Sequence, residues 1–103
     1  MKTHVTIECH TRENRLQAIQ HSETMLNEFG FIEDFNMLSD IALNIIASIE
    51  VKKIKPLIDD IHLQRVIHID NTIGMEDIEQ LEEDKEIMLY FDLTFVENKG
   101  IEH

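Results

Sequence analysis

Residues 41–51 read IALNIIASIEV, and the interpretation of the whole chain starts from this stretch. Its odd positions are apolar, whereas its even positions include Asn44, Ser48 and Glu50. Alternation with a period of two is typical of a strand that buries one of its faces. The β-branched residues Ile45 and Ile49 favour an extended backbone further. The stretch therefore predicts a central strand onto which the other elements pack.

The same stretch also allows a helical interpretation. Ile41, Ile45 and Ile49 are spaced four residues apart, as on one side of a helix, and Ser39 or Asp40 could cap its first turn. We prefer the strand because the alternation and the β-branched side chains both support it.

Four further segments are predicted to be strands. Residues 4–9 alternate clearly, and so do residues 87–96, whose apolar positions are Ile87, Leu89, Phe91, Leu93 and Phe95. Residues 31–38 alternate less regularly, and we place this segment at an edge of the sheet. Residues 65–70 complete the set as the fourth strand in chain order.

Helices are predicted between these strands. Residues 12–29 form an amphipathic helix, with Thr11 as its N-cap and Gly30 as a C-cap of positive φ. Residues 52–63 form a second helix with a buried apolar stripe. That stripe comprises Ile54, Leu57, Ile58 and Ile61. Gly74 permits a turn before a short third helix.

The order of elements predicts an α+β fold of the ferredoxin-like, split βαβ type (βαββαβ), with a mostly antiparallel sheet. A short helix and a C-terminal fifth strand are additions to it. One domain spans residues 1–103, with residues 97–103 as a polar tail. Right-handed crossovers place the first and third strands in the middle, and the fifth strand lies at an edge or leaves the sheet. Both long helices cover the face that carries Val5, Ile7, Leu43 and Ile45.

This order of elements resembles that of the small regulatory domains of the ACT and PII-like kind. The resemblance is one of topology. The sequence HTREN at residues 10–14 replaces the glycine-containing turn that follows the first strand of an ACT domain. The long loop of PII proteins between the second and third strands is also missing. No ligand-binding residue is therefore carried over to this chain.

The composition restricts the choice of partners. Nine Lys and Arg residues stand against 21 Asp and Glu residues, a formal net charge of −12. Such a charge repels phosphate groups, which argues against nucleic acid and against an anionic membrane surface as partners. The single cysteine, Cys9, fits a reducing compartment, and the N-terminus lacks the apolar region of a signal peptide. We therefore expect a cytoplasmic protein.

The polar face of the sheet holds the candidate metal ligands. His4, Glu8 and His10 share one face of the first strand, and His68 and Asp70 lie on the fourth strand, which is predicted to be its neighbour. Imidazoles and carboxylates on adjacent strands could bind Zn²⁺ or a similar divalent ion. The alternative is an ordinary solvated polar face, which is more common because alternating strands place polar residues outside.

No catalytic set is recognised. Cys9 and His10 are adjacent in a strand, so their side chains point to opposite faces and do not form a nucleophile and base. An enzyme therefore ranks below three other functions. The first, which we prefer, is a non-enzymatic sensor or regulatory module that binds a small ligand at a homo-oligomer interface. The second is a divalent-metal-binding protein. The third is an adaptor whose acidic segment, residues 76–86, docks another protein.

Overall fold

The computed structural model describes residues 3–96, which form an α+β fold with a five-stranded mixed sheet and three α-helices. The elements are β1 (His4–Thr11), α1 (Arg15–Phe29), β2 (Gly30–Ser39), β3 (Ala42–Glu50), a 3₁₀ turn (Val51–Lys53), α2 (Ile54–Gln64), β4 (Ile67–Ile73), α3 (Met75–Ile78) and β5 (Glu86–Phe95). The polar tail predicted for residues 97–103 lies outside the described residues.

Residues 42–50 of the opening stretch are a strand, as predicted, and the helical alternative is wrong; Ile41 lies in a turn and Val51 begins the 3₁₀ turn. The strand's odd-numbered side chains, from Leu43 to Ile49, are buried, and its even-numbered side chains are half-buried on the other face. β2 pairs antiparallel with β3 and forms an edge of the sheet, which confirms the position predicted for it.

The strand order is β2-β3-β5-β1-β4. β5 therefore occupies the centre of the sheet, antiparallel to β3 and parallel to β1. The prediction that the fifth strand lies at an edge or leaves the sheet is wrong. β1 and β3 lie on either side of β5 instead of pairing with each other. β4 pairs antiparallel with β1, so the predicted neighbourhood of these two strands is correct.

Both long helices contribute to one apolar core on one face of the sheet. Val5, Ile7, Leu43 and Ile45 are all buried there, as predicted. The largest fully buried side chain is that of Phe91 in β5. All five alternating apolar residues of β5 are buried, and so are three of the four residues predicted for the stripe of α2. Since the helices occupy this face alone, the opposite face is where a functional site could lie.

The predicted start of α1 is wrong. Asn14, not Thr11, caps the helix, because its Oδ1 accepts hydrogen bonds from the backbone N–H groups of Leu16 (2.9 Å) and Gln17 (3.3 Å). Thr11 is instead the last residue of β1 and is fully buried. Its Oγ1 donates to the carbonyl oxygen of Val66 at 2.8 Å.

Gly30 does not end α1 with a positive φ; its φ is −151° and it begins β2. Glycine is nevertheless needed there, because a Cβ would collide with the carbonyl oxygen of Ser48. Gly74 behaves as predicted. Its φ is +90°, and a Cβ would come within 2.6 Å of the carbonyl oxygen of His4.

The observed boundaries of α2 and β4 differ from the predicted ones by a few residues. The 3₁₀ turn takes the place of the first residues predicted for the second helix, so Pro56 lies in the first turn of α2, where it removes no helical hydrogen bond. β4 begins and ends later than predicted and contains a bulge opposite Glu8 and Cys9. Within residues 3–96, no helix is both long and apolar enough to cross a membrane.

Candidate functional site

One face of the sheet is not covered by the helices. We call it the open face. Register across the strands divides it into two halves, because directly opposite residues of paired strands lie on the same side of a sheet. The first, the acidic half, comprises Glu8, His10, His68, Asp70 and Asp92. The second, which we call the apolar half, contains Phe31, Ile46, Ile73, Met88 and Tyr90, with the polar residues Thr6, Asp34 and Ser48 next to them in register.

Within the acidic half, His10 contacts Asp70 on the neighbouring strand. Its Nδ1 lies 2.7 Å from Oδ1 and 2.9 Å from Oδ2 of Asp70, across the β1–β4 pair. The rings of His10 and His68 stand 5.2 Å apart. A carboxylate that holds one ring nitrogen of a histidine fixes the orientation of the ring, which leaves Nε2 as the atom that faces a ligand.

The other two metal candidates lie farther along β1. Glu8 accepts a hydrogen bond from the side-chain amide of Asn71 at 3.4 Å. His4 is at the far end of the strand, where its ring packs edge-on against Tyr90 at 5.2 Å. The structure thus brings His10, His68 and Asp70 together, with Glu8 beside them and His4 apart. Among the described residues, no three His, Cys, Asp or Glu side chains are arranged to hold a metal ion.

Asp92 and Tyr90 of the open face were not among the sequence candidates. Asp92 of β5 lies between Glu8 and Asn44 in register, and it accepts a hydrogen bond from the Asn44 side chain at 2.5 Å. Tyr90 lies between Thr6 and Ile46. Both alternate with the buried residues of β5, so the pattern could have assigned them to the open face if β5 had been placed inside the sheet.

Cys9 and His10 point to opposite faces, as predicted. Cys9 is buried among the helix-side core residues. Burial, and to a smaller extent the negative charges of Asp70, Asp92 and Glu8, together raise the pKa of its thiol from 9.0 to about 12. The thiolate is the reactive form of cysteine, so this residue is suited to packing and not to nucleophilic attack.

His21, which has no partner in the sequence pattern, connects the two long helices. Its ring contacts the side-chain oxygen of Gln64, at the end of α2, and its Nδ1 lies 3.8 Å from a carboxylate oxygen of Glu13. Gln64 in turn donates to Asp60 at 2.6 Å. These contacts are structural, since they hold the middle of α1 against the C-terminal end of α2.

A cleft of about 480 Å³ opens between the 3₁₀ turn, the start of α2, and α3 with the loop that follows it. We call it the α2–α3 cleft. Its floor is apolar and consists of Val51, Met75, Ile78 and Leu81. Its rim is charged and consists of Lys52, Lys55, Glu79 and Glu83. The only sequence signal for it is the three-residue spacing of Met75, Ile78 and Leu81 within an otherwise acidic segment.

The acidic segment at residues 76–86 forms one wall of this cleft. α3 is a single turn, and Ile78 is buried while Leu81 is half-buried against the core. Two backbone hydrogen bonds hold the loop that follows. The N–H of Val51 donates to the carbonyl oxygen of Lys85 at 3.0 Å, and the N–H of Lys52 donates to that of Glu83 at 2.9 Å.

Comparisons with known proteins assign no family to this chain. No protein-family model, no curated protein and no solved structure matches it. Any function must therefore be inferred from the α2–α3 cleft and the open face themselves.

Proposed function

We propose that this protein is a non-enzymatic regulatory module that binds a small molecule in the α2–α3 cleft. The observation that carries the proposal is the cleft itself, a concavity of about 480 Å³ with an apolar floor and a charged rim. Ligand sites of proteins are typically of this size and combine apolar walls with a few polar groups.

The lining indicates the chemistry of the ligand. The four floor residues offer apolar contact to a body of hydrocarbon or ring character. Lys52 and Lys55 can pair with an anionic group, whereas Glu79 and Glu83 can accept hydrogen bonds from a donor or pair with a cation. A small molecule with an apolar body and at least one charged group fits this arrangement.

Binding there can be transmitted to the surface of the protein. The wall formed by α3 and its loop contains few buried side chains, so its local stability is expected to be low. A ligand that contacts both walls would hold this segment against α2. The ligand would then regulate the protein by making the backbone of residues 79–85 more rigid. A partner that binds this segment could distinguish the rigid form from the mobile one.

Screening a library of small carboxylates, amines and amino-acid-like fragments by amide NMR of the ¹⁵N-labelled full chain tests this function. We expect ligand-induced shifts to concentrate on Lys52, Met75 and Leu81. Leu81→Gln should weaken binding about tenfold or more, since one polar group placed in an apolar contact costs about 1–3 kcal/mol. Leu63→Gln, at an exposed apolar position of α2, is the matched control and should leave binding unchanged.

The result that would contradict this function is equally specific. Shifts that map outside the α2–α3 cleft, or hits whose affinity Leu81→Gln leaves unaltered, would show that the cleft is not the ligand site.

A ferredoxin-like relationship is the proposal we make for the fold. Without β5, the remaining strands would follow the order β2-β3-β1-β4, which is the order of the split βαβ arrangement. Each long helix also connects two parallel strands that are not neighbours, β1 with β2 and β3 with β4, as that arrangement requires. On this proposal, β5 is inserted between the two halves of the motif.

A homo-oligomer and a cytoplasmic location stay predictions from the sequence. The oligomer was predicted because an exposed β5 would need another subunit to cover it. β5 is paired on both sides, so this reason no longer applies. The homo-oligomer then rests only on the general prevalence of symmetric homo-oligomers among soluble proteins.

Divalent-metal binding is the second candidate, favoured by the contact of His10 with Asp70 and by the proximity of His68. Calorimetric titration with Zn²⁺ tests it. This candidate predicts binding at about pH 8 that weakens at about pH 5.5, because imidazole must be unprotonated to coordinate a metal. His68→Ala should abolish this heat, whereas His62→Ala, on the surface of α2, should not. Absence of heat at both pH values, or binding that survives His68→Ala, would leave these residues as polar surface.

A further inference from the structure

The open face is acidic to an unusual degree. None of the described Lys and Arg residues lies in a strand, whereas the strands contain many carboxylates. Glu8, Asp70 and Asp92 are on the acidic half of the open face. Glu33 lies beside the apolar half, where it accepts a hydrogen bond from Ser48 at 2.6 Å. The described strands thus supply no Lys or Arg to pair with these groups, and Asp70 contacts His10 at 2.7 Å.

The apolar half of the same face exposes large side chains. Phe31 and Ile73 are 65% and 48% exposed, at the two edges of the sheet. Ile46, Met88 and Tyr90 are half-buried between them. No element within residues 3–96 covers this region. Ile46 and Tyr90 are directly opposite each other, and Met88 is diagonal to Ile46, so these three side chains form an apolar patch next to charged groups. Such a patch is typical of a surface that binds another macromolecule.

We propose that the open face is a docking surface for a cationic segment of another protein, in which aromatic or aliphatic side chains lie next to Lys or Arg. Charge complementarity carries this choice. A second copy of the chain also carries a net charge of −12, so two open faces would repel each other. Nucleic acid and anionic lipid would be repelled for the same reason.

The distance between the two halves restricts how far apart the apolar and basic side chains of the partner segment can be. Tyr90 and Asp92 are two residues apart in β5, so the apolar and acidic halves meet over about 7 Å. A partner segment fits if its apolar anchor and its basic side chain are separated by a similar distance. Residues at i and i+2 of an extended segment, or at i and i+4 of a helix, meet this condition.

Selection from a displayed library of random peptides of about 16 residues against the full chain tests the proposal. We expect the selected peptides to combine Lys or Arg with Phe, Tyr, Trp or Leu. Their dissociation constants are then measured by fluorescence anisotropy for the wild type and for two matched pairs of variants.

The first pair separates the acidic half from general attraction to an acidic protein. Glu8→Gln, Asp70→Asn and Asp92→Asn together remove three charges from the open face. Glu23→Gln, Asp59→Asn and Glu76→Gln together remove three charges from exposed positions of the helices. We expect the first triple variant to weaken binding about tenfold or more and the second to change it by less than about twofold.

The second pair tests the apolar half in the same way. Phe31→Ser with Ile73→Ser should also weaken binding about tenfold, whereas Leu16→Ser with Leu63→Ser removes exposed apolar side chains of the helices and should have no effect. All four residues are exposed, so the fold should persist in both double variants.

Three results would overturn the proposal. Selected peptides without basic residues would show that charge does not guide recognition. Equal losses in the two triple variants would show nonspecific attraction to an anionic protein. Sedimentation that shows a dimer which Phe31→Ser with Ile73→Ser dissociates would assign the open face to a second copy of the chain.

Discussion

Replacing Ile45 by aspartate is expected to unfold the domain. Ile45 is fully buried in β3, opposite Phe35 of β2 and Phe91 of β5. A carboxylate at this position would have no basic partner, and no Lys or Arg lies in the described strands to supply one. Burial of an unpaired charge costs roughly 4–5 kcal/mol or more, which is comparable to the whole stability of a small domain. Urea unfolding followed by circular dichroism measures the loss.

Thr94→Asp is the control that introduces the same charge on the open face. Thr94 is exposed in β5, and its neighbour in β1 is His10, so a carboxylate there is solvated and should change stability by less than about 1 kcal/mol. Ser48 is a less suitable position, because its Oγ contacts Glu33 and a new carboxylate would face a like charge. Equal destabilisation by Ile45→Asp and Thr94→Asp would contradict the assignment of Ile45 to the buried face and of Thr94 to the open face.

The buried face of each strand could be predicted from the sequence. Apolar and polar residues alternate along the strands, and the apolar ones are those that become buried. Leu43 and Ile45 of β3 and Leu89 and Phe91 of β5 all lie on the predicted face. The edge position of β2 was predictable for the same reason, since its irregular alternation corresponds to two shifts of register against β3.

The position of β5 could not be predicted in this way. Strands pair through backbone N–H and C=O groups, which are alike in all residues, so an alternating pattern identifies the buried face but not the neighbours. β1 and β3 are equally apolar on that face, and either could pair with the other or with β5. A C-terminal strand that enters between two earlier strands also departs from the tendency of consecutive elements to be neighbours.

The predicted start of α1 was wrong because two polar side chains can each serve as its N-cap. Thr11 and Asn14 can both cap a helix, and burial decided between them, because Thr11 satisfies its hydroxyl with the carbonyl oxygen of Val66 inside the fold. β4 extends to Ile73 although Asn71 and Thr72 are polar, since an edge strand needs to bury few of its side chains.

The two parts of the candidate site differ in how far the sequence reveals them. The sequence assigned His10 to one strand and His68 and Asp70 to its predicted neighbour. The structure confirms that these two strands, β1 and β4, are paired. The α2–α3 cleft could not be predicted, because its walls come from segments whose approach depends on the backbone hydrogen bonds of Val51 and Lys52 to the loop after α3. Such tertiary contacts leave no periodic pattern.

Phe91→Ala is expected to have the second-largest effect, and it tests the central position of β5 directly. Phe91 is fully buried, with Ile7 of β1 on one side and Ile45 of β3 on the other. Truncation leaves a cavity that neighbours on two strands and in the helices cannot fill, and Phe→Ala changes of this kind cost about 3–5 kcal/mol.

Phe31→Ala is the matched control for Phe91→Ala, since it removes the same atoms from a residue of β2 that is 65% exposed. We expect it to cost less than about 1 kcal/mol, because little apolar surface returns to water and no cavity forms. Thermal and urea unfolding of both variants under identical conditions gives the difference. A phenylalanine at the edge of the sheet would behave like Phe31, so a small loss for Phe91→Ala would contradict the insertion of β5 between β1 and β3.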